Sequence, residues 1–187
     1  MQNLYVLMGK SLSGKTYCIN QLQKDGIASR LITNTSRPKR PYESGNEYHF
    51  VTDLGARKDA ENGIALAGRN YKVAGGAIWR YYINQQELKK QLQTSTLPVI
   101  TILDYKGYRE LRKAVNNKYH VSGIYLNVDL DTRLKRYLST SRKSDNPKEF
   151  IRRLYDDEFN AFSGIENDKS VNIVNNYDEL REITNQR

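Results

Sequence analysis

Cysteine and histidine are almost absent: one Cys and two His occur in 187 residues. The lone Cys18 excludes an internal disulfide. With only two histidines beside it, no zinc site can be assembled from the usual nitrogen and sulfur ligands. A reducing, cytoplasmic setting is therefore expected. Apolar runs are also short, and none approaches the roughly 18 residues needed to cross a bilayer, so no membrane partner is expected. The first strand starts within a few residues of Met1, which leaves no room for a signal peptide. Internal repeats and low-complexity linkers are missing. Cys18 falls on the first predicted helix and reads as a small buried residue rather than a nucleophile.

What is present is charge. Lys and Arg number 30 against 21 Asp and Glu, for a net charge of +9, and the mean hydropathy is -0.76. Such an excess suits nucleotides or nucleic acid. The arginines form short clusters near predicted loops (Arg37 and Arg40; Arg133 and Arg136; Arg142; Arg152 and Arg153). A continuous basic stripe interleaved with aromatics is not apparent, so nucleic acid is possible but not favoured.

The most informative stretch is Gly9-Lys10-Ser11-Leu12-Ser13-Gly14-Lys15-Thr16, which fits G-x-x-x-x-G-K-[ST]. The apolar run Leu4–Met8 before it reads as a buried strand, and Thr16–Lys24 after it reads as a helix. In that context the backbone N–H groups, with Ser11 and Ser13 among them, turn inward around phosphate at a helix N-terminus. Gly9 and Gly14 allow φ values that a side chain would oppose. Lys15 would reach the β- and γ-phosphates of ATP, and the Thr16 hydroxyl would ligate Mg²⁺.

Along the rest of the chain, strands are expected at Leu31–Thr33, Glu47–Thr52, Leu97–Leu103, Val121–Val128 and Val171–Val174. Helices are expected at 85–93, 108–115, 130–138, 149–162 and 177–184. The segment 63–83 reads as a small twisted antiparallel sheet with turns at Arg69-Asn70 and Gly75-Gly76. Ser139–Pro147 is polar and looks like a mobile loop. Strands alternating with helices imply an α/β fold with a parallel sheet covered on both faces, in one domain interrupted by an inserted lobe.

A second constellation is Thr33-Asn34-Thr35-Ser36-Arg37-Pro38-Lys39-Arg40-Pro41, followed by Gly45-Asn46-Glu47-Tyr48-His49-Phe50-Val51. Two guanidinium forks in a proline-bounded turn suit phosphate binding, and a phenol can donate to the same group. With the phosphate loop, these segments resemble guanylate kinase nearly end to end. Tyr81-Tyr82, the run Ile102 to Gly107 and Ile173-Val174-Asn175 add support by order and spacing. The resemblance implies a P-loop core (1–33 and 97–187) with a parallel sheet flanked by helices. It further implies an inserted mixed β lobe for the monophosphate (about 34–95) and a short lid (about 139–150).

Carried over by position, Arg37, Arg40, Tyr48 and Tyr82 would hold the acceptor phosphate, and Thr33 and Asp104 would lie near the base. Arg142 and Arg153 match lid arginines, and Arg136 stands one residue off the family spacing. The family's base-reading glutamate aligns with Ala67, and an aspartate of the D-x-D-x-x-G segment is replaced by Ile102. The expected activity is Mg²⁺-dependent transfer of the ATP γ-phosphoryl to GMP, dGMP or another nucleoside monophosphate. Two alternatives stand beside it: a guanylate-kinase-like binding module without catalysis, and a P-loop kinase acting on another phosphorylated or nucleic-acid acceptor.

Overall fold

The computed structural model describes residues 3–41, 43–115, 118–139 and 147–185. Its centre is β1 (Asn3–Met8), whose alternating side chains serve two layers. Leu4, Val6 and Met8 join one buried cluster, Tyr5 and Leu7 the other. The helix α1 (Lys15–Lys24) buries Cys18, Ile19 and Leu22 against the Tyr5 and Leu7 face. Four further strands complete this sheet: β2 (Ser29–Arg30), β7 (Val99–Ile102), β8 (His120–Leu126) and β9 (Val171–Val174). All are parallel, in the order β2-β7-β1-β8-β9. A parallel sheet has both faces buried, which is why these strands read as near-continuous apolar runs.

Two helices, α3 (Gln85–Thr94) and α4 (Tyr105–Ala114), cover the Leu4 face through Leu88, Leu92, Tyr108 and Leu111. On the opposite face α7 (Tyr177–Asn185) adds Leu180 beside α1. Each such side chain removed from water contributes about 1.5–3 kcal/mol. Tyr108 packs so closely over β8 that a Cβ at Gly123 would lie 2.8 Å from its ring. The core described here agrees with the expected α/β architecture.

The second sheet contains β3 (Asn34–Thr35), β4 (His49–Phe50), β5 (Ala65–Lys72) and β6 (Ile78–Asn84), ordered β4-β3-β6-β5. It is mixed: β3 runs parallel to β4 and antiparallel to β6. Ala67 and Ile83 join it to the cluster on the Leu4 face.

Three expectations change, and one helix forms where none was expected. The run Leu31–Thr33 is not one strand but the crossing between sheets: Leu31 N–H donates to Ile100 O at 2.8 Å, whereas Thr33 O accepts from His49 N–H at 3.0 Å. The turn expected at Arg69-Asn70 lies inside β5. A register irregularity between Leu66 and Arg69, with Ala67 at φ 52°, supplies the bend there, and the reversal comes at Val73–Ala77. The segment 53–61, left unassigned by pattern, is the helix α2 (Asp53–Glu61), capped by Thr52 accepting from Gly55 N–H at 3.0 Å. The expected helix over 149–162 is α6 (Pro147–Asp156) followed by a π turn, Asp157–Ala161. Such wide turns recur at functional positions. The remaining helix, α5 (Leu130–Ser139), forms as expected, and most of the expected mobile loop, 140–146, lies outside the described residues.

Candidate active site

The loop between β1 and α1 is tightly packed at its start. A Cβ on Gly9 would fall 2.8 Å from Ser13 Oγ and 2.9 Å from Leu126 O, so no side chain fits there. Gly14 caps α1 at φ 100°, in the left-handed region that favours glycine. Lys15 Nζ folds back over the loop and donates to Gly9 O at 2.6 Å and Lys10 O at 2.9 Å. Thr16 follows it, exposed on the first turn of α1.

Charged side chains from α5 and the π turn brace this loop. Arg136 donates to Leu12 O at 3.0 Å and Ser13 O at 2.7 Å. Lys10 pairs with Glu158 at 2.6 Å, and Arg133, 1% exposed, pairs with the other oxygen of Glu158. Asp157 accepts from Ser11 N–H at 2.6 Å. Burial pushes its carboxyl above the usual range, against the Ser11 hydrogen bonds and the charges of Lys15 and Arg133.

A single cleft runs from this loop to the second sheet. It is lined by Gly9, Ser11 and Lys15 at one end and by Thr33, Tyr48, Tyr81, Tyr82 and Asp104 at the other. Arg152 and Arg153 of α6 form a third wall. Both bond Glu149, which also accepts from Ala74 N–H at 3.1 Å. Burial would raise the Glu149 pKa, but those donors hold it down to about 2.

Arg37 is 3% exposed and lies behind the cleft wall, its guanidinium 5.3 Å from the Tyr48 ring. Glu43 takes both its terminal nitrogens, and Arg40 lines an adjoining hollow with Trp79, Glu149 and Arg153. The two tyrosines of β6 differ. Tyr81 sits edge-on to Tyr48, ring centroids 5.8 Å apart. The Tyr82 hydroxyl accepts from Asn34 Nδ2 at 3.1 Å and donates to Asp59. Burial and that carboxylate push its pKa up to about 12.

At the far end Asp104 caps α4, accepting from Gly107 N–H at 2.6 Å. Its carboxylate also accepts from Arg69 Nε at 3.2 Å and from the Tyr71 hydroxyl. Arg69 continues to Glu110 at 2.7 Å.

The structure thus brings Gly9, Ser11, Lys15, Thr33, Tyr48, Tyr82, Asp104 and Arg153 to one cleft. Ser13, Gly14 and Arg136 line a separate hollow on the other side of the loop, with Tyr17, Cys18 and Asn175. Arg142 lies outside the described residues. The sequence points to no site role for Glu43, Arg69 or Asp157, and marks Arg133 only as part of a basic cluster. Of the first three only Glu43 left a signal, its spacing three residues beyond Arg40; the others reach the site through tertiary packing.

Among the described residues no cluster of three or more His, Cys, Asp or Glu could hold a metal ion. One hydroxyl at the loop fits a Mg²⁺ that arrives on a triphosphate, since that ion keeps waters and phosphate oxygens as most of its ligands. No helix among those residues is long and apolar enough to cross a membrane.

The guanylate kinase family model matches residues 1–182. Guanylate kinases of Cupriavidus metallidurans and Shewanella violacea are each 28% identical to the chain, covering 81% and 80% of it and 67% and 68% of their own lengths. The crystal structure of guanylate kinase from Anaplasma phagocytophilum shares the fold, with a TM-score of 0.66 at 17% identity over 97% of this chain and 81% of that one.

Proposed function

Because this chain belongs to the guanylate kinase family, and is on that ground a nucleoside monophosphate kinase, we propose that it transfers the γ-phosphoryl of ATP to GMP or dGMP. The observation that carries this reading is the continuity of the cleft: Lys15 and the phosphate loop open into the same space as Tyr48, Thr33 and Asp104. Donor and acceptor can meet there end to end, as in-line transfer requires. Neither the binding-module nor the nucleic-acid alternative is favoured.

In this reading Lys15 leaves the carbonyls of Gly9 and Lys10 to meet the donor phosphates, where its charge offsets that developing on the bridging oxygen. Arg153 would add positive charge from the α6 side and Arg142 is proposed to do the same work, while Arg136 holds the loop from behind. Mg²⁺, held by phosphate oxygens and the Thr16 hydroxyl, would supply further charge neutralisation. The acceptor phosphate would lie at Tyr48 in the cleft, with Arg37 from behind its wall and Arg40 from the adjoining hollow turning towards it. Glu43 and Pro38 engage three of the five N–H donors of Arg37, leaving two for that phosphate. We assign Tyr81 to this pocket beside Tyr48, because the Tyr82 hydroxyl is committed to Asp59. No general base is needed, since a phosphate monoester is already largely dianionic near neutral pH.

The test is ADP release from ATP and Mg²⁺ with a panel of ribo- and deoxynucleoside monophosphates, with Lys15→Ala as control. Turnover with GMP or dGMP, lost in the control, supports the reading. Absence of turnover with every acceptor overturns it.

A further inference from the structure

We propose that Arg69 selects the acceptor base by its acceptor edge, so that the site reads the O6 and N7 atoms of a 6-oxopurine and ignores the 2-amino group. The inference rests on the nucleoside monophosphate kinase reading and concerns the end of the cleft formed by Thr33, Ala67, Arg69, Tyr71 and Asp104.

Four carboxylates line the cleft: Asp104, Glu149, Asp156 and Asp157. Glu149 is engaged by Arg152 and Arg153, and Asp157 by the phosphate loop. Asp156 accepts from Asn160 at 3.3 Å and belongs with them to the α6 side. Asp104 alone stands opposite Ala67, and it already accepts three hydrogen bonds, from Gly107 N–H, Arg69 Nε and the Tyr71 hydroxyl. A carboxylate offers about four lone-pair sites, so little capacity remains for N–H groups of a base. Position 67 offers none, because Ala67 has no polar side chain.

Donors are in surplus at the same place. Arg69 spends Nε on Asp104 and Nη1 on Gly68 O and Glu110. Its Nη2 is buried and has no partner. A buried guanidinium nitrogen without an acceptor is costly, and an incoming base bearing acceptors would relieve it. The two N–H groups of Nη2 can donate to the O6 and N7 acceptors of guanine, whereas adenine presents an amino donor in place of O6. Burial and the Asp104 charge raise the Tyr71 pKa, so its phenol stays protonated. A base whose recognition edge is rich in donors would find unpaired groups on both sides of the contact. Hypoxanthine keeps O6 and N7 and lacks only the 2-amino group, so it isolates the question.

The experiment is calorimetric titration of the full chain, and of Arg69→Lys, with GMP, IMP and AMP. We expect GMP and IMP to bind within about threefold of each other and AMP at least about tenfold more weakly. Arg69→Lys keeps the charge but loses the Nη2 donors, and should weaken GMP and IMP by about tenfold while leaving AMP nearly unchanged. GMP binding tenfold more tightly than IMP, or a GMP/AMP ratio unmoved in Arg69→Lys, overturns the inference. The wild-type comparison needs no variant, so a misfolded substitution cannot obscure it. Phosphoryl transfer is read separately. Turnover of GMP with a strong preference over IMP refutes the inference and keeps the kinase. The expected binding pattern without transfer keeps the inference and refutes the kinase; binding of none of the three refutes both.

Discussion

The carboxylate of Glu43 grips Arg37 at two points, 2.6 Å to Nη2 and 3.0 Å to Nη1, and accepts the Arg40 backbone N–H at 2.8 Å as well. Both side chains are buried, at 2% and 7% exposure. One acid therefore sets the position of both arginines of the basic turn before any phosphate arrives. Removing either partner strands the other's charge, which costs about 3–5 kcal/mol in buried pairs.

Arg37→Ala should accordingly lower stability by a few kcal/mol as well as raise the acceptor KM. Glu43→Gln keeps an acceptor for Arg40 N–H, and should fold better while still raising the acceptor KM by about tenfold. Urea unfolding together with acceptor saturation curves checks both. Equal stability of wild type and Arg37→Ala would show that the ion pair is not structural.

Leu12 holds φ at 66°, in the left-handed region where a side chain costs about 1–2 kcal/mol. Leu12→Gly should relieve that strain and lose part of the gain to chain entropy, for a net change between none and about 1 kcal/mol of added stability. Leu12→Val puts a branched Cβ in the same place and should destabilise. Paired denaturation curves decide the matter.

Asp157 presents a carboxylate to Ser11 N–H, inside the loop a triphosphate would occupy. Its raised pKa means that it takes up a proton at a higher pH than an exposed aspartate does. Affinity for ATP should then rise as pH falls through that value, because the repelling charge disappears. Asp157→Asn should bind ATP about tenfold more tightly near pH 8 and lose this pH dependence. Titrations of ATP across the range check the slope.

Glu149 works in the opposite sense. Its pKa is depressed to about 2 in the folded chain, below the roughly 4.3 of a solvated glutamate. Its stabilising contribution is complete above the unfolded value and is lost as pH falls towards about 2. Glu149→Gln should be less stable than wild type near neutrality, with the difference vanishing in acid. Parallel melting curves at several pH values test this.

Some of this architecture was legible in the sequence because it is carried by local signals. The phosphate loop lies between an apolar run and a helix, and the buried strands around Val6, Ile100 and Ile124 are continuous apolar stretches. Other parts left weaker traces. The helix α2 buries only Ala56 and leaves Leu54 63% exposed, so its sequence has little amphipathic period to read. The crossing at Leu31–Thr33 looks like a strand because its residues are buried, yet its ends bond to different sheets. Arg69, Arg133 and Asp157 meet their partners across 35, 25 and 146 residues. No spacing rule reaches that far.

The strand that leads into the second sheet, β2, and the strand that receives the chain afterwards, β7, are hydrogen-bonded neighbours in the central sheet. Their backbones lie about 4.8 Å apart, so everything from 34 to 94 leaves and re-enters the core almost at one point. That segment is nonetheless packed into the core, because Ala67, Ile83, Leu88 and Leu92 belong to the same buried cluster as Leu4, Val6 and Met8. With a covalent attachment so narrow, its placement over the sheet depends on that packing and on the ion pair of Arg69 with Asp104.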